Sequence, residues 1–333
     1  MKFIAKIRFR KSRDAPILDN LRRVMVSNSP IHFSNKILQR RFKEFLNPDA
    51  DRYLILKSLL DELYLSPFGI GIAGNRHLFL SSQGSISRLF KEKTPEGQHS
   101  IILIAHYDRV PNSPGANDNS AAVFVLTEAA LKLRKDKIRK WLIIFTDKEE
   151  IAHGEGIRDQ GAYTLARGLQ NAGLGGSRYY IFDACGVGDT LIISTMADYL
   201  MKDEAGPGVS RTRIQVRQLR AKALETARHL RMERVRLIPT PFSDDVGFLR
   251  AGIPAQTITM LPAAEAEAFG ALLRTKPVFA DALVSRDAQG KCDPKLIPET
   301  WRLLNGPEDS EGRLTPQHFP LVTRFICALC KAN

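Results

Sequence analysis

Apolar and polar positions fall into two regimes along the chain. Up to residue 66, charges are interleaved with apolar residues, and LILKSLLDELYL repeats at the helical period. This predicts a mainly helical segment over 1–66. GIGIAG and HLFLSS are short and strand-like, and EKTPEGQHS (92–100) is a turn-rich connector. From residue 101 the pattern becomes regular. IILIA (101–105), WLIIFTD (141–147), RYYIFDA (178–184) and PAQTITML (254–261) predict strands; 120–136, 159–173 and 243–252 predict helices. Apolar strands alternating with helices imply one α/β domain over 67–333, a mostly parallel central sheet with helices on both faces. The segment 1–66 is expected to pack onto it.

Composition adds limits. The chain has 333 residues, 44% of them hydrophobic, enough for one large core. The basic start MKFIAKIRFRKSRD has no apolar run of signal-peptide length, and no window reaches membrane-span length without charge. The expectation is a cytoplasmic protein with no membrane partner. Cysteines at 185, 292, 327 and 330 are too few and uneven for a disulfide framework, and no second pair joins Cys327 and Cys330 in a zinc site. The net charge of +13 has its densest run at 211–236. There Ile214, Leu219, Leu224, Ala227 and Leu230 recur at roughly helical spacing, so the run predicts a solvated basic helix face. No nucleic-acid module or stacking pattern accompanies the charge, and nucleic acid is not the expected partner.

Three polar clusters fall at predicted strand ends: His106-Tyr107-Asp108, Asp147-Lys148-Glu149-Glu150 and Asp183. Taken singly, each reads as structural. Parallel strands deliver their carboxyl ends to one sheet edge, where α/β proteins bind ligands, so the clusters should converge. Carboxylates so gathered repel unless protonated or bound to cations. A histidine among them favours zinc, with manganese or cobalt as alternatives, over calcium or magnesium. Two metals would need a bridging carboxylate, and hydrolysis a free one to take a proton from water. Glu149 and Glu150 could divide metal binding and proton transfer; Asp108 could orient the imidazole.

HYD, then GANDNSAA, DKEE, FD and SDD–x–x–F–x–x–AGIP together resemble the zinc-dependent aminopeptidase family, the co-catalytic two-zinc peptidases that also include glutaminyl cyclases. The resemblance covers about residues 50 to 330, the whole α/β domain. It implies the α/β fold already derived, of the phosphorylase/hydrolase-like kind. By resemblance, His106 is a zinc ligand, Asp108 its orienting partner, Asp118 the bridging ligand, Glu149 the general base, Glu150 a ligand, and Asp183 the ligand that joins His106. The Asp118–Asn119 peptide is expected to be cis. The implied activity is removal of N-terminal residues from peptides or aminoacyl-amides.

The chain departs from that pattern in three places. NGPEDS (305–310) stands where the family has His-Thr-x-x-Asp-Thr, so Asn305 replaces the last histidine ligand; His318 is a second candidate. An amide oxygen is a poor zinc ligand, so one or two ions are expected, the second held weakly. The loss also argues against cyclase activity, which by resemblance needs that histidine. The loop IAHGEGIRDQGAY is long and carries His153, Glu155, Arg158 and Asp159; it, with residues near Met260, is a candidate for substrate contacts. Asp245 replaces the histidine of the family's SDH. The alternative reading is a degenerate member that binds without catalysis. Oligomeric state is not predicted.

Overall fold

The computed structural model describes residues 33–82, 101–152, 154–284 and 293–331. The predicted connector at 92–100, His153, Cys292 and the first 32 residues lie outside them. In chain order the elements are α1 (Lys36–Phe45), α2 (Arg52–Glu62), β1 (Phe68–Ile72), β2 (Asn75–Ser81), β3 (Ile101–His106), α3 (Ala121–Lys135), β4 (Trp141–Thr146), α4 (Gly161–Asn171) and β5 (Arg178–Phe182). They continue with β6 (Thr190–Ser194), α5 (Met196–Leu200), α6 (Pro207–His229), β7 (Val235–Ile238), α7 (Asp244–Arg250), β8 (Ala255–Leu261), α8 (Ala263–Thr275), α9 (Val278–Val284), α10 (Glu299–Arg302) and α11 (Phe319–Lys331).

The eight strands form one sheet in the order β1-β2-β4-β3-β5-β8-β6-β7. Its centre, β4-β3-β5-β8, is parallel as expected. The flanks make the sheet mixed. β1 and β2 form an antiparallel hairpin whose turn residues Ala73 and Gly74 both have positive φ, the geometry that matches strand twist. β2 runs antiparallel to β4, and β6 antiparallel to β8. β6 and β7 lie outside the elements the pattern predicts.

Apolar side chains alternate across the central strands. Ile101, Leu103 and Ala105 face a core shared with α1, α2, α3, α6 and α11; Ile102 and Ile104 face a second core shared with α4 and α7. Both faces of β3 are buried, so its sequence is continuously apolar. The N-terminal helices belong to the first core: Phe42 and Phe45 pack edge-on against Phe124 of α3. In α6 the buried seam is Val216, Leu219, Ala223 and Ala227, while Ile214 is 57% exposed. The predicted stripe was therefore misplaced at its start. Among the described residues, no helix is long and apolar enough to cross a membrane.

His77 of β2 is fully buried, and its Nδ1 accepts the Asp147 N–H at 3.3 Å. Burial, partly offset by Asp108, lowers its pKa from 6.5 to about 4. The unfolded chain then binds a proton that the folded chain refuses. This contribution is complete above pH 6.5 and is lost as pH falls towards 4, by about 3 kcal/mol in all. Urea titrations of wild type and His77→Gln should diverge over that window, the wild type losing stability faster on acidification. Parallel curves would show that His77 is not the titrating group.

Candidate metal centre

The parallel register brings His106 level with Thr146 and sets Asp183 just beyond Phe182, whose partner on β8 is Ile258. The three predicted clusters thus meet at the carboxyl edge of the sheet. His106 is 1% exposed. Its Nε2 lies 3.1 Å from Asp118 Oδ1 and 3.6 Å from Asp183 Oδ1, while Nδ1 lies 3.4 Å from Asp108 Oδ1.

The loop carrying Asp118 is held from several sides. Gly115 adopts φ +59°, and a Cβ there would come within 2.6 Å of the Asp118 carbonyl oxygen, so only glycine suits the turn. The Asp118–Asn119 peptide is cis, as the resemblance implies. Asn119 donates to the Phe182 carbonyl (2.9 Å) and accepts from Ala184 N–H (3.2 Å); Asn117 Oδ1 accepts from Gly186 N–H (2.7 Å). The Asp309 carboxylate accepts from Asn117 N–H (2.7 Å) and Asp118 N–H (3.0 Å). The late motif therefore braces the loop of the central aspartate.

Asp108 does more than face the imidazole. Its two oxygens accept the N–H groups of Glu149 and Glu150, both at 3.1 Å. That ties the end of β3 to the turn after β4. Burial opposes its charge, but His106 and these N–H groups prevail and lower its pKa. The remaining carboxyls move the other way. Burial first, then neighbouring carboxylates, pushes Glu150 up to about 9 and raises Glu149 well above the usual range. Asp244 and Asp245 rise to about 7, chiefly through burial. Asp244 accepts a hydrogen bond from Thr146, and Asp245 is buried in the position of the family histidine. Burial also works against a charged His106, but Asp108, Asp118 and Asp183 outweigh it and raise its pKa well above 6.5.

The residues present fit a divalent cation. One ligand atom from each of His106, Asp118 and Asp183 lies within 4.8 Å of the others. His106 Nε2, Asp183 Oδ1 and Glu150 Oε1 are buried and lack a hydrogen-bond partner among the described residues. A nitrogen and carboxylate oxygens, aimed inward and otherwise unsatisfied, suit zinc and its neighbours.

A cleft of about 440 Å³ opens above them, lined among others by Asp118, Glu149, Glu150, Asp183 and Asn305. Asn305, in the left-handed region at φ +62°, thus stands on the site wall as its spacing predicts. His318 is not among the lining residues; its charged neighbours are Asp189 and Arg234. The long loop contributes Ile151, Ile157 and Gln160 to the cleft, whereas Glu155 pairs with Lys148, and Asp159 accepts the Gly156 N–H. Met260 is itself buried in the core, but its strand neighbours Thr257 and Thr259 line the cleft, as expected of residues near Met260.

Two site residues escape a reading of motifs. Gln160, 2% exposed, donates from Nε2 to Glu149 Oε1 at 3.2 Å. Gly161 beside it approaches the Asp147 carbonyl so closely that a Cβ would sit 1.8 Å away; the Gln-Gly pair in the long loop is the only local signal. Arg52 of α2 reaches the backbone of the 107–115 loop, and nothing in its own segment announces this.

A family model described as peptidase family M28 matches residues 87–271. A search of curated proteins by sequence matches none. Solved structures do. The aminopeptidase LapA of Legionella pneumophila is similar at TM-score 0.57 and 15% identity, covering 88% of this chain and 70% of that one. The glutaminyl cyclase of Porphyromonas gingivalis is similar at 0.52 and 15% identity, covering 89% and 95%. A zinc aminopeptidase from Bacillus subtilis aligns at 0.49 and 18% identity over 76% of this chain, which spans only 49% of its length. At these identities the likeness concerns the fold.

Proposed function

The chain belongs to peptidase family M28, and from that premise we propose that it is a zinc-dependent aminopeptidase, removing N-terminal residues from peptides. The observation that carries this reading is the meeting of His106, Asp118 and Asp183 beneath a cleft that Glu149 also lines. His106, Asp118 and Asp183 would hold one ion; Asp118, Glu150 and Asn305 would offer a weaker second position. A bound zinc ion would polarise the scissile carbonyl and lower the pKa of water towards roughly 7. Manganese or cobalt would serve the same donor set.

The chain's own residues do the rest. Asp108 holds the imidazole and the Glu149–Glu150 backbone in one unit. Gln160 fixes one oxygen of Glu149 and leaves the other for the cleft. Glu149 takes a proton from the attacking water as oxygen adds to the carbonyl carbon, then returns it to the leaving nitrogen as the C–N bond breaks.

Metal analysis tests the ligand set. Wild type should hold about one tight zinc per chain, and Asp118→Ala should hold less than about a tenth of that, since the remaining imidazole and carboxylate cannot close a site. Asn305→His should raise the zinc content towards two. Full metal retention by Asp118→Ala would reject its central role. Two tight ions in wild type would show that Asn305 or a water suffices.

Asn305 also supports a second reading, a binding protein that has lost turnover. Aminoacyl-arylamide hydrolysis with added zinc, cobalt or manganese separates the two. Activity that follows metal content supports the peptidase; inactivity of a metal-loaded protein supports the binding role.

A further inference from the structure

The cleft is electrostatically lopsided. Asp118, Glu149, Glu150 and Asp183 crowd its floor, and Arg302 is the only cationic side chain among the described residues that line it. Arg302 ends the short helix α10, on the same wall as Trp301, Leu304 and Asn305.

The guanidinium is steadied but not neutralised. Its Nε donates to the Ile297 carbonyl at 3.2 Å, which fixes the plane of the group. No carboxylate among the described residues pairs with it. The nearby acids are engaged elsewhere: Glu299 pairs with Arg313 at 2.9 Å, and Glu265 accepts the N–H (2.9 Å) and hydroxyl (3.2 Å) of Thr300. Glu265 feels the Arg302 charge only at a distance. The two terminal nitrogens of Arg302 are thus free to make the paired hydrogen bonds that a guanidinium offers a carboxylate.

We propose that Arg302 binds a carboxylate of the substrate, and that the preferred substrates are short peptides whose free C-terminal carboxyl group lies close to the scissile bond. This rests on the peptidase reading above and adds the substrate class. A short zwitterionic peptide matches the charge pattern of the cleft: its ammonium group faces the acidic floor and its carboxylate faces Arg302. Phe242, Leu283, Ile297 and Trp301 line the same cleft and suit apolar side chains. A long peptide would carry an uncharged amide where the short one carries its carboxylate, leaving Arg302 without an anion.

The test uses the zinc-loaded full chain and three peptides: leucyl-leucine, leucyl-leucinamide, and leucyl-aspartic acid α-amide, whose only carboxylate is on the side chain. Wild type should show a KM for the free acid about tenfold or more below that for the amide, the size of one charge-assisted interaction. Arg302→Gln should erase that preference by raising KM for the free acid, with kcat within about twofold and the amide unaffected. Arg302→Lys should restore part of it. A preference for the aspartic acid α-amide over leucyl-leucinamide that disappears in Arg302→Gln would keep carboxylate recognition and assign it to a side chain. Calorimetric binding of the same peptides to Glu149→Gln protein, with and without Arg302→Gln, reads the same contrast without turnover. Carboxylate-selective binding by a wild type that hydrolyses nothing would reject the peptidase reading and retain this site. Equal free-acid and amide affinities in wild type, or a preference unchanged in Arg302→Gln, would overturn it.

Discussion

Glu149→Gln is expected to lower kcat by about 10²–10⁴, the range contributed by general acid–base catalysis, while zinc content and KM stay near wild type. The substitution is nearly isosteric, so the cleft keeps its shape. The Glu149 carboxylate sits in the cleft with one oxygen accepting from Gln160 at 3.2 Å. An amide in its place cannot accept the water's proton at neutral pH. The metal set of His106, Asp118 and Asp183 does not include it. Steady-state kinetics with an aminoacyl-arylamide, run beside elemental analysis, separates the effects. A fall in kcat with zinc retained supports Glu149 as the base. Loss of zinc in parallel would make it a ligand instead, and full activity would remove it from the reaction.

The second large effect is expected at the brace behind the ligand loop. Arg52, on α2, is 5% exposed, and its guanidinium stacks over Phe45 at 4.6 Å. It donates to the carbonyls of Tyr107 (3.1 Å), Asp108 (3.3 Å), Pro114 (2.8 Å) and Gly115 (3.3 Å), and to Ser120 Oγ at 3.0 Å. Burial, reinforced by Arg109, lowers its pKa to about 9, so it remains charged at neutral pH. Every one of these acceptors belongs to the stretch between His106 and the start of α3, the stretch that also holds Asp118. Arg52→Met keeps the apolar stem and removes the donors. Several buried carbonyls then lose their partners, at about 3–5 kcal/mol together, since such bonds are shared and not additive. Urea unfolding should show that loss, and zinc affinity should fall with it because the ligand loop loses its brace. Arg52→Lys should recover only part, because an ammonium cannot span the same acceptors. A change below about 1 kcal/mol in Arg52→Met would mean that water replaces the guanidinium.

These two residues differ in how far the sequence announces them. Glu149 was legible because it follows WLIIFT, an apolar run that could only be a buried strand, and strand ends in such folds meet at one edge. His106, Asp108 and Asp183 were legible for the same reason, Asp118 only through the resemblance carried by GANDN, and the structure brings the four together. Arg52 was not, because its partners are backbone carbonyls 55 to 63 residues away and one hydroxyl further on. Backbone acceptors carry no residue type for a motif to register. Residues near Met260 were legible as cleft candidates, and Thr257 and Thr259 do line it, but strand alternation alone does not say which parity faces the cleft. Ile214 misled because an apolar position at helical spacing is buried only if a neighbour covers it; the start of α6 packs through Val209 and Val216 against Ala197 and Met201, which leaves Ile214 exposed.

The local sequence by itself determined the central strands, the helices between them and the order of acidic and imidazole groups at their ends, because periodicity and chain direction are properties of contiguous residues. It also determined the spacing that puts Asn305 four residues before Asp309. Only the tertiary structure decided that the flanks of the sheet run antiparallel, that Asp309 braces the Asp118 loop, that Gln160 holds Glu149, and that Arg302 lines the cleft with no carboxylate partner among the described residues. Those outcomes depend on which distant groups meet after packing, and on which buried donors and acceptors are left over once the backbone has satisfied its own.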